Sequence, residues 1–434
     1  MNLTEHTDQS NTLMSLVEEL YPLNRSITGD GVRQTLKIIE KRLPLTIHEV
    51  ATGTKVLDWE VPNEWNIRDA WVKNSKGEKI IDFKESNLHV LNYSTPIHKK
   101  VNLSELTAHV FTLPEHPTWI PYRTSYYNEN WGFCMRHADF LELKEDEYEV
   151  FIDADLAAGH LTYGEFYHQG ELTEEFLLVT HICHPSLAND NLTGISVAAH
   201  LGAMLQTQQT RYSYRILFLP VTIGAITWLS INEAKLNRIK FGLVLSLLGD
   251  NGPFHYKKSR RGDTLIDTIV ETYFEHSSAA SELLPFSPYG YDERQFCSPG
   301  FNLPVGRLTR AVHGEFPEYH TSADNLTFIN QTKLNESFEV IKELIVMAEN
   351  DKTYYNTNPK GEPQLGRRGL FKTIGGQRNT KNFQMALLWV LNLSDGENSL
   401  IDISKKSGLD FSSINEATQS LLAVNLLQEV ELIN

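Results

Sequence analysis

Continuous apolar runs mark three segments of this chain as strands buried on both faces. They are Phe176-Leu177-Leu178-Val179 within 175–180, Arg215-Ile216-Leu217-Phe218-Leu219, and Phe241-Gly242-Leu243-Val244-Leu245. Around them apolar residues recur at helical spacing over Ile195 to Leu205, Leu265 to Phe274 and Glu336 to Ala348. Strands and helices that alternate in this way from about 164 to 350 predict an α/β fold, a mostly parallel sheet with helices on both faces.

The pattern differs on either side of that block. Leu13, Leu16, Val17 and Leu20, then Leu36, Ile38, Ile39 and Leu43, predict two helices split by Pro22-Leu23-Asn24-Arg25-Ser26. From about 54 to 163, short β-favouring runs such as Lys79 to Phe83 and His109 to Leu113 alternate with Pro, Gly and Asn turns, which predicts a small inserted β-rich domain. A Gly, Pro, Asn and Arg-rich stretch follows residue 353. Beyond it Asn382 to Leu391, Leu400 to Lys406 and Ser412 to Leu427 read as three helices, with Ser407-Gly408-Leu409 as a tight turn, the spacing of a winged helix-turn-helix. The expected organisation is therefore a discontinuous domain of residues 1–53 and 164–352, a β-rich insertion of 54–163, a linker of 353–380 and a winged helix of 381–434.

A length of 434 residues agrees with two or three domains. Lys and Arg number 39 against 55 Asp and Glu, a formal charge of -16, which repels a phosphate backbone unless bases cluster locally. The one basic run, Lys257-Lys258-Ser259-Arg260-Arg261, reads as a solvated loop or as a phosphate-facing one, the solvated reading being preferred. The third helix of the winged module offers Asn415, Glu416 and Gln419 and no Lys or Arg, so it predicts protein docking or packing and no nucleic-acid partner. Met1 to Asn11 lacks the apolar core of a signal peptide, and no apolar stretch reaches the roughly 20 residues that span a bilayer. A cytoplasmic protein with no membrane partner is expected, a homo-oligomer being left open. Three widely spaced cysteines, Cys134, Cys183 and Cys297, form no disulfide framework.

Candidate chemistry concentrates after the first buried strand, in Thr180-His181-Ile182-Cys183-His184-Pro185 and Ala188-Asn189-Asp190-Asn191-Leu192-Thr193-Gly194. Two imidazoles and a carboxylate at a strand's carboxyl end supply metal-ligand atoms where open sheets bind ligands. On a continuous strand His181 and His184 would point to opposite faces, so both reach one ion only if the chain turns near Pro185. A second segment, Gly314-Glu315-Phe316-Pro317-Glu318-Tyr319-His320-Thr321-Ser322-Ala323-Asp324-Asn325, offers His320 as a ligand from another loop, and its Ser322 to Asn325 also reads as a helix cap. Asp250, after a strand, reads as a further ligand or as turn chemistry. Asp292 and Glu293, in Tyr291-Asp292-Glu293-Arg294, read as a surface ion pair or as groups that orient a substrate amine.

Apolar strand, His-rich loop, Asn-Asp-Asn-x-x-Gly and late Tyr-His-Thr-x-x-Asp together resemble the zinc-dependent aminopeptidases of the glutamate carboxypeptidase-like superfamily. The whole chain is similar to a group of bacterial aminopeptidase-like proteins with an inserted β domain and a carboxyl-terminal winged helix, often associated with polysaccharide biosynthesis. Leu57 to Ala70, Pro121 to Tyr127 and Asn130 to Cys134 carry that closer likeness. The superfamily implies two metals and a Glu general base. Here Pro220-Val221-Thr222-Ile223-Gly224 puts Val221 where the resemblance places that Glu, and loss of a general base costs a factor of roughly 10² to 10⁴. The resulting expectation is zinc held by His184, Asp190 and His320, with His181 as alternative ligand, acting on an amide bond of a peptide or amino-acyl small molecule. Glu318, Glu315, Asp292 or Glu293 would then serve as base or bind a substrate amine. The other expectation is a pseudoenzyme with a binding or assembly role.

Overall fold

The computed structural model describes residues 12–370 and 379–430, with backbone alone at 379–381. The polar start, the middle of the expected linker and the last four residues lie outside the described residues. Described residues up to Gly262 and from Glu282 to Phe338 form one compact unit, and 263–281 with the chain from Glu339 onward form another.

The first unit is organised by an eight-stranded sheet. Its order is Thr46–Ala51, His160–His168, Ser213–Leu219, Glu175–His181, Ile239–Leu245, Val305–Thr309, Phe254–Lys257, Ser281–Leu284. The four strands from Ser213–Leu219 to Val305–Thr309 pair in parallel, while Thr46–Ala51, His160–His168 and Phe254–Lys257 join antiparallel. The sheet is thus mixed, with its parallel part where the continuous apolar runs lie. Every residue of Glu175–His181 and Ser213–Leu219 is buried, which requires cover on both faces. The helix Gly194–Gln206 supplies part of that cover. Gly194 has a local reason to be glycine: a Cβ there would stand 2.3 Å from Asn191 Oδ1 and 2.8 Å from the Leu245 carbonyl.

The β-rich insertion carries its own antiparallel sheet, Lys79–Asp82, Glu64–Lys73, Glu147–Ala157, Ile97–Asn102. Its core residues Trp65, Val72, Val150 and Ile152 join one continuous cluster with Leu177, Val179 and Leu219 of the central sheet. His160–His168, straddling the expected end of the insertion at 163, is a strand of the central sheet. A bridge between Pro121 and Thr321, with Tyr122 N donating to His320 O at 2.7 Å and Ser322 N to Ile120 O at 2.8 Å, ties the insertion to the loop that bears His320.

In the second unit, Asn379–Leu393, Leu400–Ser407 and Phe411–Leu422 are the three helices of the winged module. Ser399 and Asp402 form a capping box, and Gly408 closes the second helix at φ 66°, as the tight turn predicts. The third helix stops at Leu422, and Leu427–Glu429 is a strand. That strand and Asp395–Ser399 both pair with Thr353–Asn356, so the first residues of the expected linker are the centre of a three-stranded sheet. Tyr354 and Leu427 are buried there, and their burial outweighs the loop-like composition around them. Among the described residues no helix is long and apolar enough to cross a membrane.

Candidate metal centre

The central strand ends at His181, and the chain then turns, with Ser186 in the left-handed region at φ 35°. That turn brings both imidazoles together. His181 Nε2 lies 3.1 Å from His184 Nδ1 and 2.8 Å from Asp190 Oδ1, and His184 Nδ1 lies 3.5 Å from the same oxygen. His320 Nε2 approaches the other oxygen, Oδ2, at 3.0 Å. Three candidate imidazoles thus surround the fourth candidate ligand, the Asp190 carboxylate, which is itself fully buried.

Several chain segments hold this arrangement. Arg25, buried and drawn down to about 9 by that burial, donates to His184 O at 2.8 Å and to Leu20 O at 2.8 Å. Asn87 reaches Ser186 Oγ at 2.7 Å from the insertion. Asp324 accepts the backbone N–H groups of Asn189 at 2.6 Å and Asp190 at 2.9 Å, so it fixes the ligand loop and does not cap the later helix, which starts at Gln331. Burial pushes the Asp324 carboxyl up to about 8 despite those two donors. His320 itself sits at φ 55°, uncommon for a non-glycine and held by the pairing with the insertion.

Three tyrosines wall the cluster. Tyr122 meets His184 and His320 edge-on, Tyr319 stacks on His320 at 3.9 Å, and Tyr291 stacks on His181 at 4.8 Å. Tyr291 also donates its hydroxyl to Asp190 Oδ1 at 3.3 Å. Desolvation opposes ionisation of Asp190, but the imidazoles of His184, His181 and His320 around it hold it well below the usual carboxylate range. Burial likewise pulls His184 and His320 down, keeping neutral imidazoles with lone pairs to offer.

The donor set fits a divalent cation. Ligands around a tetrahedral ion with bonds of 2.0–2.1 Å stand about 3.3 Å apart, close to the three edges of the His181–His184–Asp190 triangle. A single proton on His181 Nε2 serves only one of its two acceptor neighbours, whereas a cation inside the triangle serves all three.

The remaining candidates are placed differently. Asp250 is buried, but Oδ2 accepts from Asn189 Nδ2 at 2.8 Å and Ala311 N at 3.2 Å, and Oδ1 from Gly252 N at 2.7 Å. It braces Asn189 and its own turn. Glu315 is exposed and Glu318 half-buried, and it is the Glu318 carbonyl that accepts from Thr321. Asp292 and Glu293 are both fully buried, which overturns the surface ion pair and leaves the other reading, groups that orient a substrate amine, untouched. Glu293 pairs with Lys257 at 2.7 Å, and Lys257, read as part of a solvated loop, is buried on the strand Phe254–Lys257. A buried ion pair has the same residue types as a surface one, so residue type alone does not distinguish them. Val221 is half-buried, its N–H reaching Cys183 Sγ at 3.3 Å.

Tyr122, Tyr291, Asp324 and Arg25 were not singled out by residue-type reasoning. The first three lie inside the segments that carried the resemblance or next to a candidate carboxylate, which was the available signal.

Residues 14–351 match a family model described as a domain of unknown function, DUF4910, and residues 352–429 match a winged helix-turn-helix model. A Clostridium acetobutylicum protein named as a presumed polysaccharide biosynthesis protein with an aminopeptidase-like domain is 53% identical over 418 residues, 96% of each chain. A crystal structure of a presumed peptidase from that organism superposes with a TM-score of 0.92 at 52% identity, covering 96% of both chains. A zinc aminopeptidase from Bacillus subtilis shares the fold at a TM-score of 0.55 and 11% identity, over 79% of this chain and 96% of that one.

Proposed function

The chain belongs to the DUF4910 family, has the aminopeptidase-like fold, and on that premise we propose that it is a cytoplasmic zinc-dependent hydrolase of an amide bond in a peptide or amino-acyl small molecule. The observation that carries this reading is the triangle of His181, His184 and Asp190, with His320 on the second oxygen of Asp190. These four residues would hold the ion. Bound zinc supplies Lewis acidity, polarising a carbonyl and acidifying water.

The chain's own residues do the rest. Asp190 stays ionised between its imidazoles, and Asp324 keeps its backbone in place. Tyr122, Tyr291 and Tyr319 pack against the histidine rings and limit their orientations. Asp292, beside Tyr291, has two buried oxygens with no partner, and burial followed by the charge of Glu293 holds its carboxyl well above the usual range. Its protonated form is thereby favoured, which makes it the candidate proton donor to a leaving amine. No carboxylate stands at position 221 to take a proton from water, so turnover is expected to be slow by the factor lost with a general base.

Val221 supports a second reading, a hydrolase scaffold retained for binding or assembly. Elemental analysis of the wild type, His181→Ala and His320→Ala tests the metal centre, and unchanged zinc in both variants would sink it. A panel of amino-acid anilides given to wild type and Val221→Glu separates the two readings. Wild-type turnover supports the hydrolase, and activity confined to Val221→Glu supports the scaffold.

A further inference from the structure

Lys257 and Arg307 stand directly opposite each other on the antiparallel pair Phe254–Lys257 and Val305–Thr309, and both are buried. Like charges in that register repel, and a buried charge without a partner is costly. Glu293 is the carboxylate between them, its Oε1 2.7 Å from Lys257 Nζ and 3.5 Å from Arg307 NH1. Asp292 pairs with neither cation, both of its carboxyl oxygens being without a hydrogen-bond partner among the described residues. Two cations thus share one anion, and Arg307 Nε has no acceptor among the described residues.

His313 completes the feature. Arg307 NH1 lies 2.9 Å from His313 Nδ1. A guanidinium only donates, so Nδ1 accepts and the ring proton is on Nε2. That Nε2 is buried and has no partner among the described residues. Burial, followed by the charge of Arg307, pulls His313 down to about 4, so the ring is a neutral donor. Its ring lies 5.0 Å from Tyr291 and 5.2 Å from Tyr289, which is 72% exposed. Tyr291 is the ring that stacks on His181. The arrangement therefore runs from an exposed aromatic, past an unused donor and a cation that shares its anion with Lys257, to the His181–Asp190 cluster.

We propose that Arg307 and His313 form a receptor for a substrate carboxylate, separated from the His181–Asp190 centre by the Tyr291 ring. A carboxylate neutralises the surplus charge and accepts the free Nε2–H, the combination that makes charge-assisted hydrogen bonds strong. The inference rests on the hydrolase reading for the nature of the substrate and narrows it to amides that also bear a carboxylate, on an acidic side chain or at a free carboxyl terminus.

Calorimetric titration of the full chain after treatment with a chelator, which removes turnover, tests the receptor. The probes are Ala-Ala-amide, Ala-Ala and Ala-Glu-amide. One or both carboxylate-bearing probes should bind at least about tenfold tighter than Ala-Ala-amide, the worth of a hydrogen bond to a charged group. Preference for Ala-Ala assigns a terminal carboxylate, and preference for Ala-Glu-amide an acidic side chain. Arg307→Met and His313→Ala should each abolish most of the preference, and His313→Ala, at a half-buried position, keeps the test open should Arg307→Met fail to fold. Equal binding of the three probes, or a preference that persists in folded His313→Ala and Arg307→Met, would overturn the proposal. Zinc content of the untreated chain is measured in parallel, so absence of metal counts against the hydrolase reading while the probe preference decides the receptor.

Discussion

Asp324→Asn isolates the contribution of one buried carboxyl to metal affinity. Its two oxygens accept the backbone N–H groups of Asn189 and Asp190 at 2.6 and 2.9 Å, in a fully buried position. Asparagine keeps one acceptor oxygen and turns an NH₂ toward the other N–H. At least one buried donor is then unmet, at a cost of about 1–3 kcal/mol. Because these amides position the Asp190 carboxylate, that cost falls on the ligand-ready conformation of the loop, and about 1.4 kcal/mol is a factor of ten. Zinc affinity should drop about 10- to 100-fold, the range usual when an outer hydrogen-bond partner of a ligand is removed. Competition for zinc against a chromophoric chelator measures it, with circular dichroism to show that the variant is folded. An affinity within twofold of wild type in folded Asp324→Asn would refute the view that Asp324 sets the ligand geometry.

Three other perturbations probe different layers of the molecule. Glu64 forms a two-pronged ion pair with Arg33, each contact 2.7 Å, which holds its carboxyl at about 2 instead of the usual 4.5. A depressed carboxylate stabilises above its ordinary value and loses that contribution as pH falls, so wild type should lose up to about 3 kcal/mol between pH 5 and pH 2 that Glu64→Gln does not lose. Urea denaturation at several pH values measures the difference, and parallel pH profiles would contradict it. Gly194→Ala drives a methyl into Asn191 and the Leu245 carbonyl, and should destabilise by about 1–3 kcal/mol in the same assay; a loss below about 0.3 kcal/mol would show that the neighbours yield freely. The third winged helix, Phe411–Leu422, presents exposed Glu416 and Gln419 and no basic residue, so the chain should show no tight, salt-sensitive DNA binding by fluorescence anisotropy. A log–log salt slope steeper than about -3 would overturn that expectation.

Periodicity alone fixed most of the architecture. The fully buried strands Glu175–His181, Ser213–Leu219 and Ile239–Leu245 are continuous apolar runs because helices and neighbouring strands cover both faces, a condition that composition records directly. The turn after His181 was legible for a similar reason, since Pro185 and the strand alternation left no other way for two imidazoles to meet. Thr353–Asn356 was not legible, because a four-residue strand among Asn, Pro and Gly carries too little pattern to outweigh its surroundings.

At the site, the amino-acid types and local order determined which side chains could bind a cation: His181, His184 and Asp190 are close along the chain, from the end of one strand to the helical segment that follows. The fold alone decided that His320 meets Asp190 across 130 residues, held there by an insertion that pairs with its backbone. Burial did the same for Asp292, Glu293, Lys257 and Arg307. Charged residue types read as surface in a linear string, and only the packing of two strands and a short helix shows that they are enclosed, where an unpaired charge is costly and therefore chemically informative.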